Sequence, residues 1–143
     1  MGTTANTRID ELADNFELLG DWESRFAYLI DLGKALPSMD EVDKCEENRV
    51  QGCQAQVWMK FAPENEDKIT IMADSDAFIV RGLIAVLLLI YSGKTAQEIL
   101  NTDGQSVLER LGLAAHLSPT RKNGLFSMLK RVRELAEKED ANS

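Results

Sequence analysis

Cysteine and histidine are scarce in this chain of 143 residues, with two of the first and one of the second. That leaves too few ligands for a zinc site of paired cysteines, and iron–sulfur clusters usually take about four. A phosphate-cradling glycine loop and a nucleophile elbow are also missing. Basic residues are outnumbered 16 to 24 by acidic ones, for a net charge of −8 and a pI near 4.7. Such a balance opposes nucleic acid and an anionic membrane surface, so neither is an expected partner. The longest apolar run, AFIVRGLIAVLLLIYSG from Ala77 to Gly93, is too short to span a bilayer and carries Arg81. It reads as a buried central helix.

The opening MGTTANTRIDELADNF has no basic segment followed by an apolar stretch, and Asn6 stands where a myristoylation signal needs Ser or Thr. A cytoplasmic location is therefore expected, where thiols stay reduced. The length suits a single domain over residues 1–143, and 44% hydrophobic content supplies a core without disulfide support. The cysteines are free for another use.

Periodicity sets the order of elements. Ile9, Leu12, Phe16 and Leu19 recur at helical spacing up to Gly20; Asp21 then caps a second helix with Trp22, Phe26, Leu29, Ile30 and Leu36 on one face, stopped by Pro37. The acidic stretch PSMDEVDKCEEN, holding Cys45, reads as an exposed loop. A short strand near Arg49 and Val50, an alternating strand through Ala55, Val57, Met59 and Phe61, a PENED turn and a returning strand KITIMA follow. Asp74 and Asp76 are expected to cap the central helix. After it, TAQE has capping-box spacing, SVLERL forms a short helix, and a last helix starts at Pro119 and frays in EKEDANS. The order α-α-β-β-β-α-α-α-α predicts an α+β fold with a small three-stranded antiparallel sheet packed against helices.

Chemistry narrows to Cys53, Cys45 and His116. Counting back from Val57 puts Cys53 on the apolar side of its strand, but Gly52 beside it suits a tight bend. Cys53 is then either a small buried hydrophobe or a nucleophile at a turn over an apolar pocket. Cys45, eight residues upstream, is either incidental or a relay or disulfide partner for Cys53. It lacks the close C-x-x-C spacing of a thioredoxin-like pair. His116 is expected to pack or cap ahead of the last helix rather than serve as a general acid.

The string VQGCQAQVW resembles the cysteine-bearing segment of the SufE family. LGKALP, DSDAFIVRGLIAVLLLIYSGKTAQEIL and LGLAAHLSPTRKNGLFSML resemble SufE segments in the same order, so the likeness covers roughly Arg8 to Ala136. It implies a fold like that of IscU-type iron–sulfur scaffold proteins. It also implies that Cys53 accepts sulfane sulfur, as a persulfide, from a SufS- or CsdA-like cysteine desulfurase, stimulates that enzyme and passes the sulfur to a downstream iron–sulfur scaffold. Pyridoxal phosphate would sit on the desulfurase, with no cofactor and no metal on this chain. Gly52, Gln54, Asp76 and Arg121 become candidates for supporting the active loop or the partner surface, and a homodimer fits the family. Such a protein is a reactant and activator more than an independent enzyme. The alternatives on these residues are a cluster scaffold or a thiol redox protein using Cys53 and Cys45.

Overall fold

A computed structural model of the chain describes residues 4–53, 55–63 and 68–141. The helices are α1 (Thr4–Leu19), α2 (Trp22–Lys34), α3 (Phe78–Tyr91), α4 (Ala96–Leu100), α5 (Gly104–Leu111) and α6 (Pro119–Ala141). The strands are β1 (Val57–Pro63), β2 (Lys68–Ser75) and β3 (Lys94–Thr95), in sheet order β1-β2-β3, all antiparallel. Single 3₁₀ turns cover Glu41–Asp43, Glu46–Asn48 and Ala114–His116. Helices and a small antiparallel sheet share one core, so the fold is α+β.

Local chemistry explains most boundaries. Asp21 caps α2 by accepting from the Ser24 amide at 2.7 Å, and Thr95 with Glu98 closes a reciprocal capping box on α4. In β1 the alternation holds, with Val57 and Met59 buried against the core and Trp58 and Lys60 only partly covered. The register pairs Val57 with Ser75 and Pro63 with Ile69. The turn expected between β1 and β2 falls on residues 64–67, outside those described, as do the last two residues of the expected frayed tail; α6 itself stays helical through Ala141.

Three expectations change. The third strand is not the Arg49–Val50 segment, which contributes an isolated bridge from Arg49 to Trp58 and one bond from the Val50 amide to the Val57 carbonyl at 2.8 Å. It is Lys94–Thr95, beyond α3, paired with Lys68 and Ile69. Two residues are too few to show alternation, so the order is α-α-β-β-α-β-α-α-α. The acidic loop is not wholly exposed, because Met39 is buried.

The third change concerns Asp74 and Asp76, neither of which caps α3. The N-cap position is Ala77 and receives no side-chain bond. Asp74 is 2% exposed in β2 and accepts from the amides of Met39 (3.0 Å) and Ser75 (2.8 Å). It pairs with Arg81, and Lys44 lies 3.7 Å away. Arg81 also donates through Nε to the Gly33 carbonyl at 3.1 Å and through Nη2 to that of Leu36 at 2.5 Å. The charge that interrupts the apolar run thus ties α2, β2, α3 and the start of the acidic loop into one buried network.

α3 is the centre of the core, with Leu83, Ile84, Val86, Leu87, Ile90 and Tyr91 all buried. It packs directly on α2 where Gly33 meets Gly82. A methyl on Gly33 would come within 2.6 Å of the Gly82 nitrogen, and one on Gly82 would collide with the Leu29 carbonyl. The backbones touch because neither residue has a side chain. Among the described residues, no helix is long and apolar enough to cross a membrane.

Candidate functional site

The bond between Val50 and Val57 closes a loop of six residues at the mouth of the sheet, and Cys53 lies within it. The loop bends at Gly52, whose φ of +90° is a conformation that side-chain-bearing residues rarely adopt. Gly52 is also pressed onto α6, where a Cβ would stand 2.5 Å from Ser127 Oγ. At the far end Asp76 holds Gln56 on both sides of the peptide. Its Oδ1 accepts from the Gln56 amide at 3.1 Å, and its own amide donates to the Gln56 carbonyl at 3.3 Å. The turn therefore has two anchored ends and one unusual backbone angle.

Cys53 is half-buried and faces a cavity of about 260 Å³. The cavity is lined by Val57 from β1, Val80 and Leu83 from α3, and Arg121, Gly124 and Met128 from α6. The thiol donates to the Gly124 carbonyl at 3.5 Å, a weak bond available only to the protonated form. A Cβ on Gly124 would lie 3.6 Å from Cys53 Sγ, in van der Waals contact with the thiol. Burial pushes the Cys53 pKa up, and the positive field of Arg49 opposes this only in part. The thiol is sheltered, and burial favours its protonated form.

That shift has a readout. With Cys45 changed to serine to isolate the second thiol, iodoacetamide should alkylate native Cys53 with a midpoint pH above that of the same chain unfolded in urea. Since the folded pKa is the higher one, the native thiol should react more slowly near neutrality, and the deficit should close as pH rises through the folded pKa. A native midpoint equal to or below the unfolded one would contradict the burial argument.

The candidate residues are only partly gathered here. Arg121 shares the cavity with Cys53, Gly52 makes the bend and Asp76 anchors its end; Gln54 lies outside the described residues. Cys45 is exposed, heads the 3₁₀ turn Glu46–Asn48 and is a free thiol, as is Cys53. His116 stacks on Trp22 with ring centroids 3.9 Å apart and lies 3.1 Å through Nδ1 from the Gly112 carbonyl. It does not line the Cys53 cavity. Among the described residues, no three His, Cys, Asp or Glu side chains are grouped so as to hold a metal ion. Sequence reasoning missed Gly124, although a glycine inside a helix is a signal of close approach. Arg49 is the nearest cation to Cys53 in the sequence without being adjacent to it, and its effect on the thiol depends on the loop folding back.

A family model described as the SufE Fe–S metabolism associated domain matches residues 10–136. An uncharacterised SufE-like protein of Rhizobium meliloti is 46% identical over 134 residues, covering 92% of this chain and 96% of that one. One of Rhizobium etli is 46% identical over 132 residues, covering 90% and 89%. The solution structure of a hypothetical protein from Thermus thermophilus superposes with a TM-score of 0.75 at 20% identity, covering 94% of this chain and 96% of that one, a likeness of fold alone. With the family match spanning nearly the whole chain and close relatives of matching length, this protein belongs to the SufE family of iron–sulfur metabolism domains.

Proposed function

We propose that the chain accepts sulfane sulfur on Cys53 from the persulfide of a pyridoxal-phosphate cysteine desulfurase, stimulates that enzyme and passes the sulfur to an iron–sulfur scaffold. The observation that carries this reading is the setting of Cys53, a thiol at an anchored turn over an apolar cavity, on a family domain associated with iron–sulfur metabolism. In the transfer the Cys53 thiolate attacks the terminal sulfur of the donor persulfide. A new S–S bond forms on Cys53, the old one breaks, and the donor cysteine leaves as thiolate. Nothing is oxidised or reduced overall, and the acceptor needs no cofactor.

The resting geometry suits storage better than attack. The cavity shields a persulfide from solvent thiols, while burial disfavours the thiolate that must form first. We therefore place the reaction in a docked state in which the Gly52–Cys53 turn swings outward, breaking the weak bond to Gly124. The test is to incubate the protein with a cysteine desulfurase and free cysteine, then weigh the peptide bearing Cys53. One added sulfur, removed by reductant, is the expected result, together with faster desulfurase turnover. No adduct and unstimulated turnover would overturn the proposal.

A further inference from the structure

A second cavity, of about 400 Å³, lies beside the first. Cys53 and Gly124 border one, and Gly52 and Ser127 border the other. Positions 124 and 127 of α6 are three residues apart, on neighbouring stripes of the helix, so the turn straddles the two cavities. The second cavity is lined by Arg49, Lys130 and Arg131, with Glu134 as its one carboxylate. In a chain of net charge −8, three cations against one anion make a local reversal of sign.

The cations are incompletely paired. Arg131 donates through Nη2 to the Glu47 carbonyl at 2.9 Å, and its Nη1 is 3.9 Å from Glu134, at the edge of an ion pair. The Nε atoms of both Arg49 and Arg131 are buried with no hydrogen-bond acceptor among the described residues. Buried polar groups are as a rule hydrogen-bonded, so two such N–H groups bordering one cavity are an exception that needs an explanation. Guanidinium forks are shaped for carboxylates, and Lys130 adds an exposed point charge at the rim.

We propose that this pocket seats a carboxylate side chain of the protein that delivers sulfur to Cys53, fixing the partner beside the turn. The inference rests on the acceptor reading above and names a contact within it. A carboxylate here would screen the field with which Arg49 favours the Cys53 thiolate. The seat therefore contributes affinity and orientation, not thiolate formation.

The experiment uses the full chain with a cysteine desulfurase, measuring complex affinity and turnover at increasing chain concentration and several salt concentrations. Lys130→Glu should weaken binding by about tenfold or more and flatten the salt dependence, with the maximal stimulated rate within about twofold of wild type. Arg49→Gln should weaken binding in the same direction. Lys138→Glu, the same charge change two turns along α6 outside the pocket, should bind as wild type. Equal weakening by Lys130→Glu and Lys138→Glu would mean general charge steering and would overturn the pocket. So would unchanged binding of Lys130→Glu and Arg49→Gln while wild type takes up sulfur normally. Weakened self-association of the chain alone, with desulfurase binding intact, would assign the seat to a second copy and overturn it too. If wild type neither binds nor accepts sulfur, the acceptor reading fails first, and the pocket's occupant fails with it.

Discussion

Changing Cys53 to serine is expected to abolish sulfur acceptance, lowering the persulfide formed on this chain by at least about 10³-fold, the scale on which loss of a nucleophile acts. The hydroxyl is close in size to the thiol and can still donate to the Gly124 carbonyl, so the fold should change in stability by only about 1 kcal/mol. It cannot ionise at working pH, and it offers no soft sulfur to form the new S–S bond. Cys45→Ser should leave transfer close to wild type, because Cys45 is exposed, heads a separate turn and lines neither cavity beside the Cys53 turn. Circular dichroism and an equilibrium unfolding curve control for folding, and mass spectrometry after incubation with desulfurase and cysteine reads the transfer. Sulfur on the Cys53→Ser protein at the wild-type level would move the acceptor role elsewhere. Loss in Cys45→Ser equal to that in Cys53→Ser would make the two thiols a relay.

The sequence made the helices and the main hairpin legible because their signals are repeated. Ile9, Leu12 and Phe16 are buried at helical spacing, and Val57 and Met59 are buried at strand spacing. Single-residue signals carried less. Asp74 looks like a helix cap because it precedes an apolar run, yet it is the acceptor at the centre of a buried network in which Arg81 reaches partners 7 to 48 positions away along the chain. Separations of that kind leave no local pattern. Arg81 was visible as an oddity in an apolar helix, and its burial is explained only by Asp74, Gly33 and Leu36 arriving together.

The site divides along the same line. Gly52 and Cys53 are adjacent, so the bend and the thiol on it could be read from two letters. The cavity could not, because its far wall is α6, 71 residues from Cys53 at the Gly124 contact. The second pocket is more hidden still. Arg49, Lys130 and Arg131 show no motif, and they meet where Gly52 packs against Ser127 and Arg131 bonds the Glu47 carbonyl.

The network around Asp74 sets the second large effect. Asp74→Ala should destabilise the protein by about 3–5 kcal/mol, since removing one member of a buried ion pair leaves the other charge without compensation. Arg81 would keep its carbonyl partners Gly33 and Leu36 but lose its counter-ion, and the Met39 amide would lose its acceptor. Asp74→Asn should cost less, because the amide oxygen can still accept from Met39 while the charge is lost. Urea unfolding checks the order wild type, Asn, Ala. A cost under about 1 kcal/mol for alanine would show that the pair contributes little beyond its desolvation. The damage should also reach the site. Asp74 is two residues from Asp76, which holds the end of the Cys53 loop through Gln56, so loosening β2 at that point should free the turn. Alkylation of Cys53 in folded Asp74→Asn should therefore be faster than in wild type at the same pH, which ties the buried network to the accessibility of the thiol.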